Sequence, residues 1–199
     1  MRTVPLGDVA TIISGATPKT GIDDYWGGDV QWATPADLSK LDGPYISKTP
    51  RTLTSAGVRS CATTVLPAGS VLLSSRAPIG HVAINTVPMA TNQGFKSLVP
   101  TAAVEAKYLY HWLKSNTDFL RSLGNGATFK ELSATTTQRI EIPLPPLAEQ
   151  RRIAAILDRA DALRAKRRQV LAHLDALTQS IFHDMFGDPD RAADDIPFG

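Results

Sequence analysis

The chain has 199 residues, 43% apolar and 20% charged, which allows one ordinary domain with an appendage and a core that needs no covalent staple. A single cysteine, Cys61, excludes an internal disulfide framework, no apolar run is long enough to span a bilayer, and "MRTVPLGDVA" has no apolar stretch of a signal peptide, so a cytoplasmic protein without a membrane is expected. The formal net charge of +2 decides little, but residues 1–147 hold 13 basic and 10 acidic side chains, residues 149–168 hold 7 and 3, and residues 169–199 hold 1 and 6, an unevenness of the kind that marks interaction surfaces.

Residues 1–146 are dense in Gly, Pro, Ser and Thr, with short apolar runs between them. "VQWAT" (30–34), after the Gly-Gly turn of "YWGGD", reads as a strand. "SVLLSSR" (70–76) and "HVAINT" (81–86) read as two more, separated by the turn "APIG". "GFKSLVP" (94–100) follows. In "AVEAKYLYHWLKSN" (103–116), Val104, Tyr108, Leu109, Trp112 and Leu113 share one face of an amphipathic helix. "TDFLRSLG" (117–124) adds a short helix, and "QRIEIPL" (138–144) completes the sheet. Strands and helices without regular alternation predict an α+β domain over 1–146, compact, with a mixed or antiparallel sheet.

Pro145 and Pro146 end that region and preset a helical first turn, where a missing N–H costs nothing. Glu149 suits the positive end of the helix. From Ile153 an apolar seam runs at steps of three and four: Ile153, Ile156, Ala160, Leu163, Arg167, Val170, Leu174, Leu177, Ile181 and Asp184. Leu157, Leu171, Phe182 and Met185 widen it. Gly187 and Pro189 stop it. A helix over 147–186 would be roughly 60 Å long at ~1.5 Å per residue. Each uncovered Leu or Ile forgoes about 1.5–3 kcal/mol of burial, so the seam calls for a second helix. The competing arrangement folds the helix back on its own domain.

No catalytic constellation is present in the sequence. His81, His111, His173 and His183 lack partners at metal-ligand spacing, so neither a metal nor a catalytic site is expected. "GNGAT" (124–128) is no dinucleotide fingerprint, and Walker A and G-x-S-x-G motifs are missing. Polar and basic residues gather instead at turns: "TPK" (17–19), "SKTPR" (47–51), "SSRAP" (74–78), "TNQGFK" (91–96) and "GATFKE" (126–131). Lys and Arg suit phosphates, and Asn, Gln, Thr and Arg suit base edges.

An ordered set of motifs over nearly the whole chain carries a resemblance: "LGDVATIISGATPKT", "YWGGDVQWATPADLS", "LPAGSVLLSSRAPIGHVAI", "MATNQGFKSLVP", "GATFKELS", "IPLPPLAEQRRIAAILD" and "FHDMFGDP". The chain resembles the specificity (S) subunit of type I restriction–modification systems, with one target-recognition domain and one conserved helix. The resemblance implies a non-enzymatic subunit that recognises double-stranded DNA at a bipartite site. Its helix would dock modification (M) subunits, which methylate adenine with S-adenosylmethionine, and a restriction (R) subunit would join for cleavage. No cofactor of its own is expected, since the S-adenosylmethionine belongs to M. The alternative is an assembly module whose helix organises partner subunits without reading DNA.

On this resemblance the DNA-facing residues are expected among Lys19, Lys48, Arg51, Arg76, Asn92, Gln93, Lys96, Thr128 and Lys130. Arg76 is the preferred single contact, and Asn92 and Gln93 serve equally well as turn formers. Ile153, Ile156, Leu163, Val170, Leu174, Leu177 and Ile181 are expected at a helix interface, in a coiled coil that makes a homodimer. Residues 187–199 look like the lead-in to a second repeat, because "DIPFG" (195–199) echoes "TVPLGDV" (3–9). Either a natural half-length subunit or a truncated one has this pattern.

Overall fold

The computed structural model describes residues 2–126 and 130–187. In chain order the elements are β1 (Thr3–Pro5), α1 (Leu6–Val9), β2 (Ala10–Ser14), a 3₁₀ turn (Asp23–Tyr25), β3 (Trp26–Ala33), α2 (Pro35–Leu38), β4 (Tyr45–Ile46), β5 (Thr52–Leu53) and α3 (Ser55–Arg59). They continue with β6 (Val71–Leu73), β7 (Val82–Asn85), β8 (Met89–Thr91), β9 (Lys96–Pro100), α4 (Ala106–Ser115), α5 (Thr117–Ser122), α6 (Ala134–Arg139), β10 (Glu141–Pro143) and α7 (Leu147–Phe186). The chain forms two compact units, Met1–Ala154 and Ala155–Gly199, so the first two turns of α7 belong to the first unit. The tail segment 188–199, with its echo of the N-terminus, lies outside the described residues.

The expected α+β architecture is present, but as three sheets. The largest has the order β2-β9-β6-β7-β4, antiparallel except where β4 runs parallel to β7. A second has the order β5-β3-β8, with β3 antiparallel to β5 and parallel to β8. The segment expected to close the main sheet does not join it. Residues Ala134–Arg139 form α6, and β10 pairs with β1 in a separate ribbon. Ser133 caps α6 by accepting from the Thr136 N–H (3.0 Å), which explains why "SATTTQR" turns helical despite its threonines.

The main sheet is covered on both faces, as the unbroken apolar run of β6 requires. Val71 and Leu73 face the larger core with Leu98, Val104, Tyr108, Leu109 and Leu113, while Leu72 faces a second cluster with Leu66, Met89 and Phe95. The expected helix face is thus the buried face of α4, with Trp112 at its margin. Each fully buried Leu contributes about 1.5–3 kcal/mol. The Tyr108 hydroxyl donates to the Pro143 carbonyl (2.7 Å), and burial pushes its pKa up, which keeps it a donor.

The start of α7 is fixed by one buried side chain. The Gln150 amide nitrogen donates to the carbonyls of Pro145 (2.8 Å) and Ala103 (3.1 Å), and its oxygen accepts from the Glu105 N–H (2.8 Å). Ile153 packs half-buried against the core of the first unit. Arg151 reaches Glu105 (3.6 Å). Residues 147–186 contain no Gly or Pro, and exposed i,i+3 pairs join Arg152 to Glu149 and Arg164 to Asp161. Gly187, at φ +78, ends the helix with its N–H on the His183 carbonyl (2.9 Å). In the second unit Ile156, Leu163, Val170, Leu174, Leu177 and Ile181 are 48–67% exposed.

Replacing Gln150 with Leu keeps the volume but strands the Glu105 N–H and the Ala103 and Pro145 carbonyls. The expected loss is about 2–4 kcal/mol, read from the urea unfolding midpoint. Glu149→Ala, which removes a carboxylate from the positive end of the helix and an exposed pair that holds it below its usual range, should shift the midpoint far less than Gln150→Leu.

Candidate nucleic-acid interface

The polar turns come together in the first unit as two clusters. The first is built on β3 and β5. Trp26 and Val30 both lie opposite Leu53, an irregularity that spans Gly27 and Gly28. Gly27 sits at φ +80, and a Cβ on Gly28 would overlap the backbone of Leu53 and Thr54, so this strand needs both glycines to bend there. Trp26 then meets Trp32 edge to face, with ring centroids 5.0 Å apart and planes at 80°.

Arg51 lies over this pair. Its guanidinium carbon is 3.5 Å from the centroid of Trp26 and 5.4 Å from that of Trp32. The Trp32 indole N–H donates to the Ala16 carbonyl (3.1 Å), and the Trp26 indole N–H donates to that of Lys19 (3.3 Å). The loop carrying Lys19 is thereby tied to the same rings. Gly15 lets the loop's root lie against β8's end: a Cβ there would overlap the carbonyls of Thr91 and Asn92. Thr17 donates to the Gln93 side-chain oxygen. Asn92 accepts the Gly94 N–H (2.8 Å) and so forms the turn, while Gln93 is exposed. Lys48 is exposed on the connection between β4 and β5.

The second cluster centres on Glu131. Its carboxylate meets Lys96 Nζ (3.1 Å) and Arg76 Nη1 (3.6 Å). Backbone bonds bring the segments together: Leu132 N–H to Ser75 O (2.9 Å), Ser75 N–H to Gly94 O (2.7 Å), and a reciprocal Asn125–Glu131 pair. Lys96 is only 7% exposed, and its ammonium is paired with the Glu131 carboxylate. Arg76 is half-buried and already faces a carboxylate. Lys130 is exposed, and Thr128 lies outside the described residues.

Trp26, Trp32 and Glu131 were not among the expected site residues. In the sequence Trp32 falls in an expected strand and Trp26 in the turn before it, so alternation along the chain does not pair them. Their link to Arg51 depends on the pairing of β3 with β5, which spacing along the chain does not reveal.

Among the described residues no group of His, Cys, Asp and Glu could hold a metal ion, and no helix is long and apolar enough to cross a membrane. The chain is thus a compact α+β unit with cationic loops, followed by a long helix whose apolar seam is exposed. The sequence profile of the type I restriction modification DNA specificity domain matches residues 1–173, and the chain belongs to that family. It is similar to the type I restriction enzyme MjaIX specificity subunit of Methanocaldococcus jannaschii, 39% identical over 91% of this chain and 42% of that protein. It is similar in structure to the HsdS subunit from Thermoanaerobacter tengcongensis, with a TM-score of 0.67 and 28% identity over 94% of this chain and 44% of the other. A chain from a structure describing complex assembly and conformational transition of the type I R-M system gives a TM-score of 0.75 at 29% identity, over 90% of this chain and 43% of that one. The chain thus spans less than half the length of these relatives.

Glu131→Ala should unfold the protein at lower urea, by about 1–3 kcal/mol, because it strands the buried Lys96 ammonium, with water reaching the pair only from the exposed side of Glu131. Lys96→Met in the same background should recover most of the loss by removing the buried charge. A double-mutant cycle on the unfolding midpoint checks both.

Proposed function

We propose that this chain recognises a specific DNA sequence as the specificity subunit, or one repeat of it, of a type I restriction–modification complex. It places adenine-methylating M subunits, and with them an R subunit, on a bipartite site. The observation that carries this reading is the family match, which runs without a break through the first unit and into α7. Supporting it, Lys19, Lys48, Arg51 and Lys130 are exposed on loops and make no ion pair among the described residues. Such unneutralised cations on turns suit a phosphate backbone. On this reading the chain is non-catalytic and cytoplasmic, with residues 1–146 as the target-recognition domain and 147–186 as the assembly helix.

The assembly helix carries a second part of the proposal: α7 pairs antiparallel with a second copy in a coiled coil. Its seam from Ile156 to Ile181 is exposed and forgoes about 1.5–3 kcal/mol per large side chain without a partner. Residues 151–168 hold every Lys and Arg of α7, while 169–186 hold none and include Asp175 and Asp184. Antiparallel pairing keeps basic segments apart, whereas parallel pairing in register would superpose them. A two-fold dimer would read the same half-site twice, so its target is an interrupted palindrome.

With a cognate M subunit, the chain should select a defined duplex, with affinity falling steeply as salt rises, and should direct methylation to adenines in that site. Binding titrations over a range of salt and a methylation assay read this out. Equal affinity for all duplexes, or methyl transfer by this chain alone, contradicts it. Leu174→Glu should convert the dimer to monomer in light scattering at micromolar concentration, with the first unit still folded by circular dichroism; a wild-type chain that is already monomeric contradicts the pairing.

A further inference from the structure

We propose, on the reading that this chain recognises DNA, that Arg51 reads a base edge in the major groove and that Trp26, backed by Trp32, is the positioning platform that presets its guanidinium. Arg51 is exposed and has no carboxylate within ion-pair distance among the described residues. This separates it from Arg76, whose charge is shared with Glu131, and from Lys96, whose charge is buried there.

The platform under it is fixed at several points. Trp32 is buried, its N–H is held by the Ala16 carbonyl, and its ring abuts that of Trp26. Trp26 is in turn held by the Lys19 carbonyl. A guanidinium 3.5 Å above such a ring is attracted to the ring's negative face and loses freedom before any ligand arrives. Stacking occupies the planar face of the group and leaves the N–H donors at its edge, in the plane. A planar fork of that kind matches two acceptors side by side, as guanine presents with O6 and N7. The loop that Trp26 anchors puts Lys19 beside the same platform, where a flexible ammonium suits the neighbouring phosphate.

A phosphate contact and a base contact by Arg51 differ in one measurable respect. A lysine serves a phosphate nearly as well as an arginine, whereas at guanine its flexible ammonium lacks the planar fork that fits O6 and N7 side by side. The test uses the assembled complex of this chain with its M subunit. Affinity is measured for the selected duplex and for the set of duplexes altered at each single base pair, at several salt concentrations. Arg51→Lys should reduce discrimination at one base pair of the half-site by about tenfold or more, leaving the other positions and the salt slope unchanged. Trp26→Leu should relax the same base pair to a smaller extent, and Trp26→Phe, which keeps a ring beneath the guanidinium, should restore most of it.

In Arg51→Lys, affinity and salt slope near the wild type with the preference profile unchanged make Arg51 a phosphate contact and overturn the proposal; a loss spread evenly over all duplexes overturns it too. Both outcomes leave DNA recognition standing, whereas a wild-type complex that selects no duplex removes that reading as well. Because Arg51 is exposed, Arg51→Lys should unfold at the wild-type temperature, so the test holds even where Trp26→Leu fails to fold.

Discussion

The amide of Gln150 is the contact on which the rest of this structure depends. It is wholly buried, and it satisfies three backbone groups, one just before α7, one just before α4 and one at the start of α4. A buried amide left without partners would cost several times what one such hydrogen bond contributes, so its position is defined within narrow limits. Through it the first turn of α7 is built into the same core that carries the five-stranded sheet. Ile153, one turn on, adds apolar contact to that core. Pro145 and Pro146 follow β10 and preset the first helical turn, and Gln150 fixes that turn of α7 in place.

Charge is used in two ways in the first unit. Around Glu131 it is spent internally. Lys96 and Arg76 hold three chain segments together through a single carboxylate, where the alternative would be an unpaired ammonium inside the protein. Over Trp26 it is left available. Arg51 is restrained by aromatic rings rather than by a carboxylate, so its position is fixed while its charge and donors stay unspent. The distinction lies in the chemistry of each partner. A carboxylate neutralises a guanidinium, whereas a ring orients it and leaves its hydrogen-bonding edge open.

Much of this was legible in the sequence, and the exceptions have physical causes. The amphipathic pattern of Tyr108, Leu109 and Leu113 located α4, and α7 was located by Pro145 and Pro146 before it, the apolar seam along it and Gly187 after it. Short elements such as β4, β5 and α2 escaped because two to four residues carry no period to read. "QRIEIPL" misled because Ser133's cap draws the preceding threonines into α6, and β10 then finds β1 rather than the main sheet. At the site, the basic turns were visible, but their division was not. Lys96 follows Phe95 into the sheet and meets Glu131 35 residues later, a pairing created only by the fold. Trp32 lay in an expected strand and Trp26 in the turn before it, and only the extension of β3 back to Trp26 and its pairing with β5 bring both rings beneath Arg51.

The central claim is that the β3–β5 face, with the loop carrying Lys19, is where this chain meets DNA. Hydrogen–deuterium exchange on the complex with its M subunit, with and without the selected duplex, tests it most directly. DNA binding on this face predicts slowed exchange on duplex addition in 16–22 and 47–52, and little change in 74–80 beyond that produced by a scrambled duplex. Protection confined to 74–80, with 16–22 and 47–52 exchanging as before while the duplex is demonstrably bound, would contradict it.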